Sequence, residues 1–328
     1  MKGIKNGIKD FFYDISVKLT PKNKKTKSHS AAKREALIFY ICILALPILQ
    51  MCIFYIGINV NTIKLAFEKY NPDTGQYVWN GFNNFKDFII SLSTTTVMPY
   101  AIKNSLKLYL IGVFIGLPLN LIFAFFLYKK VPGTGFFRVI LFLPQILSGV
   151  VTSIMFAYFV EGAVPAIFEK MGVADFPNLL SGPVYTFPTI IFYCLWSGFG
   201  SQLIIYGTAM SGVDESLIEA GKLDGLSTFG EFFKIIVPLI FPTITTYLVI
   251  GIAGFFTNQA SLYNFFGQNA QEYTQTLGYY LFVKVVGSKA TLGDYPVASA
   301  AGLIFTCIAA PLTILVKYLL ERFGPSVE

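Results

Sequence analysis

Chemistry in a protein needs ionisable, nucleophilic or metal-binding side chains that converge, and this chain supplies few. Its single histidine, His29, lies in a Lys-rich stretch, so the apolar segments hold no histidine for acid–base work or metal binding. Cys42, Cys52, Cys194 and Cys307 are scattered through apolar runs with no C-x-x-C or C-x-x-H spacing, and read as small packing residues. No phosphate-cradling G-x-x-x-x-G-K-[ST] sequence is present, so the chain has no recognisable nucleotide site of its own. The densest acidic stretch runs Asp214-Glu215-Ser216-Leu217-Ile218-Glu219-Ala220-Gly221-Lys222-Leu223-Asp224-Gly225. Asp214 or Ser216 can cap a helix start there, and Ser216 with Glu219 has the spacing of a capping box. Asp224-Gly225 can end that helix, with glycine free to take positive φ. Ala220 and Gly221 are short enough to let a partner surface approach closely. The stretch reads as a short, capped helix.

The elements that must position these residues are membrane spans. Hydrophobic residues make up 54% of the 328 and charged residues 13%, with 33 Phe and a mean hydropathy of +0.61. A soluble domain carries about 25% charge, so composition excludes a soluble enzyme, a secreted disulfide scaffold, a disordered tail and a nucleic-acid binder. Six apolar runs reach the length of about 20 residues that a spanning helix needs. They are residues 37–58, 106–128, 139–160, 184–210, 235–263 and 297–320. Pro47, Pro118, Pro144, Pro188 and Pro311 fall in or near them, as membrane helices tolerate. Two polar groups interrupt the runs. One is Trp196, Ser197, Gly198, Ser201 and Gln202; the other is Thr257, Asn258, Gln259, Ser261, Tyr263 and Asn264. Polar side chains at membrane depth face a bundle interior or a cavity. Interhelical packing by small and amide residues is the competing reading.

Charge sets the expected topology. Residues 1–34 hold ten of the 25 Lys and Arg against Asp10 and Asp14, a net +8, so the remainder of the chain is −1. Residues 4–19 place Ile4, Ile8, Phe11, Phe12, Ile15 and Leu19 at helical spacing, predicting an amphipathic helix on the inner surface among anionic lipids. The run starting near residue 36 is too long for a secretory signal. A basic N-terminus marks the cytoplasmic side, and six spans return the C-terminus there. Lys129, Lys130 and Arg138 place the second connection inside; Glu161, Glu169 and Asp175 against Lys170 place the third outside. The connection 59–98, with three basic and three acidic residues, also fits outside. Connection 211–234 must be cytoplasmic yet is −3. That surplus asks for an explanation.

Glu219-Ala220-Gly221, with Asp224 and Gly225 five and six residues after the Glu, then Phe233, Ile236 and Pro238 with Pro242 beyond, resembles the EAA loop of ABC importer permeases. Gly221 stands where the family carries a second Ala, and Val237 where it carries Leu. Other segments, in order, resemble the maltose-type carbohydrate permeases. They are Gly81-Phe82-Asn83-Asn84-Phe85, Phe136-Phe137-Arg138 with Phe142-Leu143-Pro144, Trp196-Ser197-Gly198-Phe199-Gly200, Tyr279-Tyr280 and Ala298-Ser299-Ala300. The resemblance runs from about residue 37 to 322.

The resemblance implies an all-α membrane protein, with six transmembrane helices in the MetI-like permease core after an amphipathic N-terminal helix. It implies three parts: a basic cytoplasmic segment 1–35, a permease domain 36–322 with its EAA coupling loop at about 211–238, and a short cytoplasmic tail 323–328. Glu219, Ala220, Gly221, Asp224 and Gly225 would couple to two ABC ATPase subunits, which use ATP and Mg; this chain itself would bind no cofactor. The other implied partners are a second homologous permease (usually a different chain, with a homodimer left open) and an extracytoplasmic solute-binding protein. Trp196, Gly198, Ser201, Gln202, Asn258, Gln259 and Tyr263 are the implied sugar-path candidates, with import across the bacterial plasma membrane by alternating access. Two alternatives are an ABC permease for a non-sugar solute and a stand-alone secondary carrier. The carrier would need buried ionisable groups in mid-span, and the sequence shows none.

Overall fold

The computed structural model describes residues 29–173, 175–287 and 290–325, so the amphipathic helix expected at residues 4–19 lies outside the described residues. The chain divides into two compact units, residues 1–61 and 62–328. The first carries the helix His29–Gln50 and its π-helical continuation Met51–Ile56. Among the described residues this helix begins the first of six candidate spans, Leu37–Ala66. The others, all in the second unit, are Val97–Tyr128, Gly149–Lys170, Thr186–Ser211, Phe241–Phe266 and Asp294–Phe323.

Two spans depart from the sequence reading. The run 139–160 is not one helix. A helix Thr134–Ile146 ends where Leu147 and Ser148 turn extended, and a second begins at Gly149. The first of these lies close against the fourth span, because Gly200 has no side chain: a Cβ there would meet Gln145 Oε1 at 3.0 Å and the Leu141 carbonyl at 3.3 Å. The fifth run also breaks. Its helix covers Phe241–Thr257, Asn258 is extended, and Ala260 and Ser261 take positive φ before a short helix Leu262–Phe266.

The irregular backbone after Thr257 is stitched by side chains. Asn258 Oδ1 accepts the Ala260 N–H at 2.8 Å, and Thr276 Oγ1 donates to the Asn258 carbonyl at 2.8 Å. Buried Asn104 and Ser105, on the second span, reach it from outside. Asn104 Nδ2 donates to the Tyr273 and Gln275 carbonyls, and Ser105 Oγ accepts the Leu277 N–H. Tyr279 Oη donates to the Gly267 carbonyl at 2.9 Å and accepts the Ala270 N–H at 3.1 Å. Buried backbone groups left unpaired would be costly, so these bonds permit the break. The helix Leu277–Val286 then packs back so tightly that a Cβ on Gly278 would stand 2.3 Å from the Thr257 carbonyl oxygen.

The connection 59–98 is not a plain polar loop. Strand β1, Glu68–Asn71, pairs antiparallel with β2, Gln76–Trp79, in the register Glu68↔Trp79 to Asn71↔Gln76. The turn signal was present: Asn71 Oδ1 accepts the Asp73 N–H, and Gly75 supplies a φ of +66°. Tyr70 and Tyr77 pair across the strands with ring centroids 5.4 Å apart. A helix Asn83–Thr94 follows, burying Asn84 and Phe88.

Gly278→Ala drives a methyl into backbone and should cost about 1–3 kcal/mol or more. A clear drop in the thermal-aggregation midpoint in mild detergent is expected, whereas Gly302→Ala, which meets nothing within 4 Å, should leave it unchanged. Equal midpoints for the two would refute the tight packing at Gly278.

Candidate functional site

Two places merit description: the connection after the fourth span and a cleft among the spans. In the connection, Asp214, not Ser216, is the N-cap of the helix Glu215–Leu223; its Oδ1 accepts the Ser216 N–H at 2.9 Å. Ser216 lies inside the first turn, so the expected capping box with Glu219 is not the one used. That backbone N–H holds the Asp214 carboxyl below the usual carboxylate range. The cap is therefore complete at neutral pH and is lost only as pH falls through that lowered value. The far end closes as expected. Gly225 has φ +79°, its N–H reaches the Lys222 carbonyl at 3.0 Å, and the Leu226 N–H reaches the Gly221 carbonyl at 2.9 Å.

The helix has two faces. Ile218 and Gly221 are buried. Gly221 does not serve a partner's approach: a Cβ there would meet Ile235 Cδ1 at 2.6 Å and Leu226 Cδ1 at 3.0 Å. The departure from Ala is thus a fit to the chain's own Ile235. Leu217, Glu219, Ala220, Leu223 and Asp224 are exposed, Leu223 by 89%. The chain then forms Thr228–Glu231, capped by Ser227, a π-helical turn Phe232–Ile236 and the turn Val237–Leu239 containing Pro238. Phe229 and Phe233 face outward, while Phe232 and Ile236 are buried. The exposed apolar side chains Leu217, Leu223, Phe229 and Phe233, with Glu215, Glu219 and Asp224 near them in sequence, have the composition of a protein-contact surface.

The inner side is anchored to the spans. Ile218, Phe232 and Ile236 share one buried cluster with Phe125 of the second span and Leu203 and Met210 of the fourth. Phe125 and Phe232 have ring centroids 4.9 Å apart. Glu231, only 5% exposed, bonds Lys129 at 2.6 Å, and Lys129 also sits 5.7 Å from the Phe125 ring centre. The sequence reading used Lys129 only as a topology marker and Glu231 only as a charge. Their pairing across 102 residues has no local pattern to show it.

The cleft, of about 200 Å³, lies between the second, fourth and fifth spans. Of the seven sugar-path candidates it brings together Gln202 and Asn258. It adds Ser105, Tyr109, Asn120 and Tyr247, which sequence reasoning missed, although Asn120 is a lone amide in an apolar run. Glycines shape it: a Cβ on Gly116 would meet Leu195 at 2.9 Å, and one on Gly251 would meet Tyr109 at 2.9 Å. Gln202 Nε2 donates to Tyr247 Oη at 2.7 Å, and Asn120 Nδ2 to the Gly116 carbonyl at 2.7 Å. The remaining amide oxygens, Asn120 Oδ1 and Gln202 Oε1, are buried and receive no protein hydrogen bond.

The other candidates sit elsewhere. Trp196 stacks on Phe156 at 5.9 Å, and Tyr263 meets Phe282 edge-on at 5.0 Å. Ser201 Oγ bonds back to the Gly198 carbonyl at 3.1 Å, and the Gln259 carbonyl accepts the Leu262 N–H. Among the described residues no group of three His, Cys, Asp or Glu is placed to hold a metal ion.

Lys129→Met leaves Glu231 buried without its partner. It should destabilise the chain by about 3 kcal/mol, the low end for a broken buried pair because Lys129 keeps 23% exposure. Thermal unfolding in detergent is the measurement, and the exchange Lys129→Glu with Glu231→Lys should recover most of the loss. No recovery would mean that the pairing contributes little.

With this geometry in place, comparison with known proteins is informative. The profile of the "binding-protein-dependent transport system inner membrane component" family matches residues 112–328. The multiple sugar-binding transport system permease protein MsmF of Streptococcus mutans serotype c (strain ATCC 700610 / UA159) is 24% identical over 277 residues, 84% of this chain and 92% of that one. The polygalacturonan/rhamnogalacturonan transport system permease protein YteP of Bacillus subtilis (strain 168) is 26% identical over 299 residues, 86% of this chain and 88% of that one. A chain in the crystal structure of a bacterial ABC transporter involved in the import of the acidic polysaccharide alginate has the same fold. Its TM-score is 0.72 at 22% identity, over 90% of this chain and 98% of that one. The chain is therefore a multi-pass membrane protein that belongs to the inner membrane component family of binding-protein-dependent transport systems.

Proposed function

We propose that this chain is one transmembrane subunit of an ATP-driven ABC importer that carries a carbohydrate across the bacterial plasma membrane. Both termini are cytoplasmic in this reading, a second homologous permease completes the path, and an extracytoplasmic solute-binding protein delivers the sugar. Two ABC ATPase subunits dock on the connection 211–238 and use ATP and Mg there. One observation carries the docking assignment. The helix Glu215–Leu223 exposes Leu217, Glu219, Ala220 and Leu223 while its buried face, through Ile218, belongs to the core of the second and fourth spans. A partner that moves the exposed face must move those spans with it. Alternating access is then a two-state equilibrium that nucleotide and loaded binding protein bias.

The carbohydrate assignment draws on the sugars and polysaccharides named for MsmF, YteP and the alginate transporter. The cleft supports it chemically. Asn120 and Gln202 each keep an amide oxygen free to accept from a hydroxyl, beside the aromatic rings of Tyr109 and Tyr247. Asn258 lines the same cleft, but its side-chain oxygen is already used on the Ala260 N–H. Among the sequence candidates, Gln202 is therefore the stronger contact. Trp196, Gly198, Ser201, Gln259 and Tyr263 act as packing support for the path.

Glu219→Arg should leave the chain inserted and its thermal midpoint near wild type, yet reduce co-purification of the ATPase subunits and slow uptake. Normal uptake by this variant would remove the docking assignment. Asn120→Leu, close to isosteric, should preserve assembly and weaken apparent transport affinity about three- to tenfold, the value of one hydrogen bond. Unchanged uptake kinetics would assign Asn120 to packing.

A further inference from the structure

The segment 67–94, part of the connection 59–98 that charge counting places outside, carries an apolar surface that the protein itself does not cover. Trp79 and Phe82 are each 74% exposed, and Val78, Ile89 and Ile90 are exposed as well. The surface is built rather than incidental. Trp79 stacks on Phe67, with ring centroids 5.7 Å apart and planes 10° apart, and Phe82 meets the same Phe67 edge-on at 5.3 Å. Asn84 Nδ2 holds the assembly from within by donating to the Ala66 and Glu68 carbonyls. Phe67 directly follows Ala66, the last residue of the first span.

Two contacts fix the depth of this element against the last span. Tyr77 Oη donates to the Leu292 carbonyl, just before that span begins at Asp294. Phe88 meets Phe305 with ring centroids 5.6 Å apart. Phe305 lies eleven residues into the helix Asp294–Phe323, about 17 Å along its axis. The hairpin therefore sits level with the end of the span, and the helix Asn83–Thr94 descends beside it. Phe88 and the neighbouring Ile89 and Ile90 are then below the headgroups, and Trp79 and Phe82 are nearer the rim. Lys86, exposed between Phe82 and Ile90, is long enough to reach back to the headgroups.

We infer that residues 67–90 form a membrane-interface anchor, with Trp79 and Phe82 seated among lipid headgroups and Ile89 and Ile90 against the acyl chains of the same leaflet. Trp at the headgroup level and aliphatic side chains below it match the polarity gradient of the bilayer. The occupant is lipid rather than a soluble partner, because Phe88 ties this helix to the last span at hydrocarbon depth. The anchor lies at the opposite end of the last span from the connection 211–238. The C-terminal end of that span is marked by Gly324, where a Cβ would collide with Phe241 at the start of the fifth span.

The test is tryptophan quenching in the assembled transporter, reconstituted in nanodiscs of phosphatidylcholine brominated at a chosen depth. Trp79→Phe keeps an aromatic ring on Phe67, so the emission of wild type minus that of the variant isolates Trp79 from Trp196 and from the partner chains. Bromine near the headgroup end of the acyl chain should lower this difference emission by roughly half, and bromine at the chain terminus should lower it less. Aqueous iodide should leave it nearly unchanged. A difference emission that iodide quenches and bromolipid at either depth does not would overturn the anchor and return Trp79 to solvent or a soluble partner. A difference emission that neither quencher lowers would also overturn the anchor and would assign the surface to a contact with the second permease. Circular dichroism of Trp79→Phe checks that the variant keeps its helices.

Discussion

Backbone at membrane depth must find its hydrogen bonds within the protein, and everything distinctive about this chain depends on how it meets that constraint where its helices stop. Between Thr257 and Leu277 the main chain is largely irregular, yet Asn258, Gln275 and Thr276 supply bonds from within the segment, Tyr279 from the helix that follows, and Asn104 and Ser105 from the second span. These residues are polar in an apolar sequence for a structural reason. Their pairing lets the helix of the fifth span end at Thr257, and Asn258, Gly254 and Tyr247 line the cleft beside that end. Interhelical amide and hydroxyl bonds of this kind are worth about 1 kcal/mol each, but leaving a carbonyl unpaired in hydrocarbon costs more, so the set acts together.

The same economy governs the connection 211–238. Its short helix is capped at one end by Asp214 and closed at the other by Gly225, so it holds its shape without burying both faces. One face inserts Ile218 into the cluster that includes Phe125, Met210, Phe232 and Ile236; the other stays open. The Lys129–Glu231 pair adds a second tie to the end of the second span. A rigid element with one buried and one exposed face can pass a displacement from a partner to the spans.

The two large differences between sequence and structure have a common origin. The break at Leu147–Ser148 and the break at Asn258 both sit inside runs long enough to span, although Thr257, Asn258 and Gln259 make the second run locally polar. Hydropathy measures transfer of side chains from water and is blind to backbone direction, so a folded-back helix and a straight one score alike. The β1–β2 hairpin was legible in principle from Asn71-Pro72-Asp73-Thr74-Gly75 between two aromatic-bearing strands. The membrane reading drew attention away from it.

By itself the sequence determined the solvent, the number of spans among the described residues, the end of the acidic helix at Gly225, and the family. Each of these rests on composition or on local spacing, which the linear chain displays directly. Tertiary structure alone decided that Gly221 accommodates Ile235, that Glu231 meets Lys129, and that Asn120 and Gln202 share a cleft with free acceptor atoms while Trp196 stacks on Phe156 and Tyr263 meets Phe282. It also decided that Phe88 rests on Phe305 and so carries the connection 67–94 down to membrane depth. These depend on which faces of distant helices meet, and that is set by close packing among side chains far apart in the chain, for which no local pattern is a record.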